Sequence, residues 1–253
     1  RTYRWFLVLN GIVGPLLLGG AVATFFDGSN FLVEKASLTD IGAPVISRWA
    51  NASAGLDALL DPWNLVFGLA VMFLARMLGA LYIINNVEDE DIRSRASVRL
   101  VGSTVPFLVF FLAFFVRLLL KDGYAVDAQG VVFMESLKYL HNFLAMPLLA
   151  VLTLVGVVLL LYGVVRTVVS PTYIRGIWPA GIGVVLVVLS LLLVAGWNGT
   201  AYYPSNADLQ SSLTIANSCS SEFTLRTMFY VSLLVPVVVA YIAYVWRVMD
   251  RKH

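Results

Sequence analysis

The sequence predicts an all-α, polytopic membrane helix bundle of about six transmembrane helices, and three observations carry that class. Of the 253 residues, 60% are hydrophobic and 13% charged, against roughly 45–50% and about 25% in soluble domains. Mean hydropathy is +0.86. The apolar residues gather into six runs, each near the ~20 residues needed to cross ~30 Å of hydrocarbon at ~1.5 Å per residue. The runs lack the alternation of a barrel strand, and only helices and closed barrels satisfy their backbone in lipid.

The first run, residues 5–26, follows Arg1 and Arg4 and ends near Ala21-Val22-Ala23, a pattern that a signal peptide shares. Gly11, Gly14, Pro15, Gly19 and Gly20 favour a packed membrane span instead. Residues 27–61 form the longest connection, with Asp27, Glu34, Asp40, Asp57 and Asp61 against Lys35 and Arg48. Val45, Ile46, Trp49, Leu56, Leu59 and Leu60 suggest a helix lying at the interface there. The second span, 62–85, carries Arg76 and the small-residue pair Ala75 and Gly79, a candidate helix contact. Glu88 to Asp91 and then Arg93, Arg95 and Arg99 read as a solvated connection, with Asp89–Arg93 and Asp91–Arg95 at pairing distance on a helix.

The third span is 100–120, where Arg117, one turn from Lys121, is expected to snorkel outward. Lys121-Asp122-Gly123 signals a turn. Spans at 143–165 and 177–196 are apolar all round and show no face. A long polar passage, 203–227, is nearly uncharged and rich in Ser, Asn and Thr, which suits a loop that packs back onto helix ends. The last span is 228–248, and the whole chain, 1–253, reads as a single transmembrane helical domain. Ten Lys and Arg lie on one side (Arg1, Arg4, Arg93, Arg95, Arg99, Arg166, Arg175, Arg247, Arg251, Lys252) and six on the other (Lys35, Arg48, Arg117, Lys121, Lys138, Arg226). The positive-inside rule therefore puts both termini in the cytoplasm. Trp5, Trp63, Trp178, Trp197 and Trp246 fall at span ends, where indole prefers the headgroup layer.

Chemistry-bearing residues are few. The net charge of +2 comes from residues at span ends, not from a patch, which excludes a nucleic-acid surface. Cys219 is the single cysteine, and no Cys/His spacing suits zinc. His141 flanks a span and the other histidine is terminal His253, so no axial pair for a haem emerges; Met72, Met77, Met146 and Met228 read as packing. No Asp or Glu lies inside a span, which weighs against an ion-coupled permease. Arg76 is the intramembrane polar candidate, ten residues from Asn86. Two readings stand: it neutralises a haem propionate, a quinone head or a carboxylate of a partner subunit, or it snorkels to lipid phosphate or makes an ordinary subunit contact.

Pro204-Ser205, Ala207, Ser212-Leu213-Thr214, Asn217-Ser218, Ser221 and Thr224-Leu225, entering a helix with Val235-Pro236, resemble subunit II of cytochrome bd quinol oxidases. So do Asp61-Pro62-Trp63-Asn64 with Gly68-Leu69, then Gly79-Ala80 and Tyr82, then Arg93, Arg95 and Ala96, and before them Gly14-Pro15-Leu16 with Gly19. The resemblance covers nearly all of the chain and implies the C-terminal portion of such a subunit, with upstream helices absent. It further implies a bacterial cytoplasmic (inner) membrane enzyme that oxidises quinol and reduces dioxygen to water. In it, haem b and haem d belong to a partner, subunit I, and none is ligated by subunit II. A structural quinone, a small single-helix subunit, membrane lipid and quinol are further expected partners. No catalytic, cofactor-binding or metal residue is carried over to this chain. A permease-like transporter component and a purely structural membrane anchor are the alternatives.

Overall fold

The computed structural model describes residues 2–34, 47–170 and 172–249. They form seven α-helices: α1 (Thr2–Asp27), α2 (Pro62–Asn86), α3 (Glu90–Leu120), α4 (Lys138–Ala145), α5 (Pro147–Val169), α6 (Ile177–Gly196) and α7 (Glu222–Met249). All but α4 are long and apolar enough to cross a membrane, as the six runs predict. Two compact units divide the chain, Arg1–Ile215 and Ala216–His253, and each is described by itself.

In the first unit the spans alternate in direction. One end of the bundle carries the connections after α1, α3 and α6 and is here called the capped end; the other carries those after α2 and α5 and is called the open end. Local sequence sets the helix starts. Asp61 caps α2, its Oδ1 accepting from the N–H groups of Trp63 at 2.8 Å and Asn64 at 3.3 Å. Pro62 occupies the first turn, where its missing N–H is no loss. Asp89 caps α3 in the same way, accepting from Ile92 N–H at 2.9 Å.

Three boundaries differ from the sequence reading. The span expected from residue 143 starts at Pro147, because the preceding apolar residues belong to α4 and Pro147 restarts the helix after Met146. The expected loop at residues 88–99 is mostly the first turns of α3, and neither expected acid–base pair forms: Asp89 serves as a cap, while Arg93 Nε donates to the Val87 carbonyl at 2.5 Å. The interfacial helix expected in 27–61 is replaced, among the described residues, by a hairpin of β1 (Phe31–Val33) with β2 (Ser47–Trp49) and a 3-10 turn at Leu56–Leu60. Lys35, Asp40, Val45 and Ile46 lie outside the described residues, as do Arg1, Arg251, Lys252 and His253. A second hairpin joins β3 (Gly123–Val126) to β4 (Val132–Glu135), so the α-helical class carries small strands at its capped end.

Helix packing relies on missing side chains. A Cβ on Gly68 would lie 2.7 Å from the Leu16 carbonyl oxygen, and one on Gly19 would lie 2.8 Å from the Gly68 Cα. The two helices α1 and α2 therefore meet backbone to backbone. Near the open end a Cβ on Gly163 of α5 would lie 2.5 Å from the carbonyl oxygen of Gly176, at the start of α6. Aromatic rings fill the space toward the capped end. The Phe114 ring centre is 4.4 Å from that of Phe67 and 6.0 Å from that of Phe26. Three buried hydroxyls of α5 and α6 are satisfied within their own helix. Thr153 donates to Leu149 O at 2.8 Å, Thr167 to Gly163 O at 2.7 Å and Ser190 to Leu186 O at 2.8 Å. The expected Ala75 and Gly79 contact is not made inside the unit, for both residues are on the exposed side of α2.

In the second unit, Ser221 starts α7, its carbonyl accepting from Leu225 N–H at 3.0 Å. Arg226 pairs with Glu222 one turn back at 2.7 Å, a spacing at which helical side chains face each other.

Candidate functional site

Charge in the first unit is concentrated at the capped end around Asp27, the last residue of α1. Its Oδ1 accepts from Arg117 Nη1 at 2.7 Å and Lys121 Nζ at 2.6 Å, both delivered by the end of α3. Such charge-assisted bonds are the strong ones. The carboxylate side chain is 6% exposed, the lysine 14% and the arginine 26%. Lys121 Nζ also donates to the Phe26 carbonyl at 2.7 Å, and the Arg117 guanidinium lies 4.7 Å from the Trp63 ring centre, within cation–π range. Arg117 therefore does not snorkel outward as its position suggested; a carboxylate one helix away is a better partner than headgroup water. Burial pulls the Lys121 ammonium below the ordinary lysine value, and the Asp27 carboxylate opposes that shift.

Residues of the polar passage complete the cluster, as its composition predicts. Asn206 Nδ2 donates to the Asp27 carbonyl at 3.0 Å, and its Oδ1 accepts from Tyr124 OH at 2.8 Å. Ser205 Oγ donates to the Phe31 carbonyl, and Gln210 bonds both the N–H and the carbonyl of Val132. Burial raises the phenols of Tyr124 and Tyr139 above the ordinary tyrosine value, so both stay neutral donors. Beside this cluster lies a cavity of about 410 Å³ lined by Asp27, Ser29, Asn30, Asp57, Asp61, Asn64 and Asn206, among others. Hydrogen bonds from Ser53, Asn51 and Asn30 hold the Asp57 carboxyl well below the usual carboxylate range.

A second lock sits on α4. Asn142, fully buried, donates to the Val194 carbonyl at 3.0 Å and to Thr200 Oγ1 at 2.8 Å, and accepts from Asn198 at 3.0 Å.

The sequence-derived candidates fall apart in space. Arg76 is exposed on α2, where its guanidinium carbon lies 5.9 Å from the centre of the Phe73 ring. Among the described residues no second histidine accompanies His141 as an axial ligand for haem iron. His141 is half exposed with Nδ1 at 2.9 Å from Glu135 Oε1, Met72 and Met77 are buried in the bundle core, and Cys219 is exposed in the second unit. Among the described residues no group of three or more His, Cys, Asp or Glu side chains is placed to hold a metal ion. Sequence reading missed the Asp27 cluster because its members are 90 and 94 residues apart; the available signal was a carboxylate and two cations at span ends on the same side.

The arrangement is a structural clasp beside a hydrophilic chamber. Compared with known proteins, residues 1–249 match the model of the family described as cytochrome bd terminal oxidase subunit II. Curated relatives include the cytochrome bd-I ubiquinol oxidase subunit 2 of Escherichia coli strain K12 and those of strains O6:H1 and O157:H7. Each is 26% identical over 266 residues, an alignment covering 99% of this chain and 66% of the relative.

Proposed function

Because the chain belongs to the cytochrome bd terminal oxidase subunit II family, we propose that it serves as the haem-free membrane subunit of a quinol:oxygen oxidoreductase in a bacterial respiratory chain. The observation that carries this reading is the family match across residues 1–249, in a chain with six helices fit to cross a membrane. In that role it supports a haem-bearing subunit I, which oxidises quinol and reduces dioxygen to water with haem b and haem d. The six spans act as one membrane domain with both termini in the cytoplasm, the capped end outside and the open end, with its arginines, inside. A structural quinone and a small single-helix subunit complete the assembly. The permease alternative lacks support from the site: the carboxylates on the six spans, Asp27, Glu90, Asp91 and Glu222, all lie within two residues of a helix end.

The test is co-expression of the tagged chain with its haem-bearing partner. The purified complex should show a Soret band and quinol-dependent oxygen uptake, while the chain expressed alone with ample haem should show neither. A stoichiometric haem spectrum from the isolated chain, abolished by His141→Ala, would overturn the assignment of haem to the partner.

A further inference from the structure

Among the described residues Arg76 is the one charged side chain well inside a span, and the six described spans offer it no counter-charge. It lies ten residues from Asn86, the end of α2, which is ~15 Å of helix. Centring this helix, ~38 Å long, in ~30 Å of hydrocarbon leaves the Arg76 backbone ~11 Å inside the nearer edge. A side chain built from bonds of about 1.5 Å reaches roughly 7 Å, short of a headgroup phosphate. No Asp or Glu occurs in residues 3–26, 62–86, 92–120, 147–169, 177–196 or 223–249, so no span supplies a carboxylate at that depth. The Phe73 ring at 5.9 Å is an electrostatic contact but no replacement for an anion.

The surface around Arg76 is shaped for a neighbour. Ala75, Arg76, Gly79, Tyr82 and Ile83 recur at helical spacing along one stripe, and Arg76, Tyr82 and Ile83 are exposed on it. A Cβ on Gly79 would meet nothing within 4 Å, whereas one on Gly68, elsewhere on α2, would strike α1 backbone. Gly79 thus opens a groove beside the charge, where another helix can approach closely.

We propose that this stripe of α2 seats a membrane helix of the haem-bearing subunit, and that the seated helix presents a carboxylate to Arg76 within the hydrocarbon layer. The proposal rests on the oxidase reading above. Charge complementarity selects the occupant: a lone guanidinium in hydrocarbon is costly, an acyl chain supplies no acceptor, and a carboxylate in a low-dielectric setting supplies the strongest one. The Ala75 and Gly79 surface then lets the two backbones come near enough for the pair to form.

Two measurements on the purified complex in nanodiscs test it. With p-benzoylphenylalanine in place of Tyr82, irradiation should yield an adduct between this chain and the haem-bearing subunit, mapping to a helix with an Asp or Glu within one turn of the site. Arg76→Gln should lose the haem-bearing subunit at least about tenfold faster than wild type during detergent washing, and Arg76→Lys should retain most of it. An adduct only with lipid or with the chain's own polypeptide, or Arg76→Gln retention equal to wild type, overturns the proposal and leaves the oxidase reading standing. A wild-type chain that captures no haem-bearing subunit overturns both.

Discussion

At the capped end Asp27 gathers Arg117 and Lys121 from 90 and 94 residues away, while at the open end Asp89, Glu90, Asp91, Arg95 and Arg99 crowd into one stretch at the start of α3. The first set is largely buried and the second mostly exposed. The same residue types therefore do different work. Charges withdrawn from water must be paired, so they fix which helices meet, whereas charges left in water mainly cap a helix and keep that end at the aqueous boundary. What holds the open end is instead backbone proximity, through Gly163 and Gly176.

The largest expected effect breaks the capped end at its centre. Asp27→Ala leaves two mostly buried cations without their carboxylate and should destabilise the detergent-solubilised protein by about 3–5 kcal/mol. Thermal unfolding followed by tryptophan fluorescence reads this, and a loss under about 1 kcal/mol would mean that the clasp is not what holds α1 to α3.

Next in size are two substitutions that weigh polar locking against close packing. Asn142→Leu should cost roughly 1–3 kcal/mol, because the Val194 carbonyl and Thr200 hydroxyl lose their donor inside the bundle. Gly163→Ala forces a methyl group against the Gly176 carbonyl and should cost about 1–3 kcal/mol although it touches no charge. If Gly163→Ala proves neutral while Asn142→Leu does not, the open end is looser than its backbone contacts indicate.

A smaller effect is read by pH. Hydrogen bonds from His141 and Lys138 hold the Glu135 carboxyl below its ordinary value of 4.5. A depressed folded-state value means that Glu135 contributes stability fully above the ordinary carboxylate range and loses it as pH falls through the lower folded value. Apparent melting temperature should therefore decline on acidification below about pH 4.5, and Glu135→Gln should flatten part of that slope. Smallest of all, Asp91→Asn at the open end should change stability by no more than ~0.5 kcal/mol, with Asp27→Asn in the same assay as the contrasting case.

Sequence made the spans legible because hydropathy and length are summed over some twenty residues and survive local error. Asp61 and Pro62 were legible as a motif, and the structure supplies the reason: a cap and a first-turn proline at the start of α2. The hairpins at 31–49 and 123–135 were not, since strands of three and four residues carry too little pattern to register. Nor was the clasp. Asp27 looked like one acidic loop residue among five, and Arg117 like a residue seeking the headgroups; only the fold brings their helix ends side by side. The polar passage from residue 203 was recognisable as material that packs on helix ends, and Ser205, Asn206 and Gln210 do so through the hydrogen bonds its composition makes available.

The reach of those last hydrogen bonds orders the birth of the molecule. Asn206 bonds the Asp27 carbonyl from 179 residues downstream, and Ser205 bonds Phe31 from 174 downstream. At translation rates of about 5–20 residues per second, Asp27 waits roughly 5–20 s for Lys121 and roughly 10–40 s for Asn206. The clasp with α3 can close while synthesis continues, but its polar lid cannot close until α6 and the segment after it have been made. The most interconnected end of the bundle is therefore also the last to be completed, and until then the α1–α2 glycine contact, the Phe26–Phe114 ring packing and the early ion pairs keep the end of α1 in place.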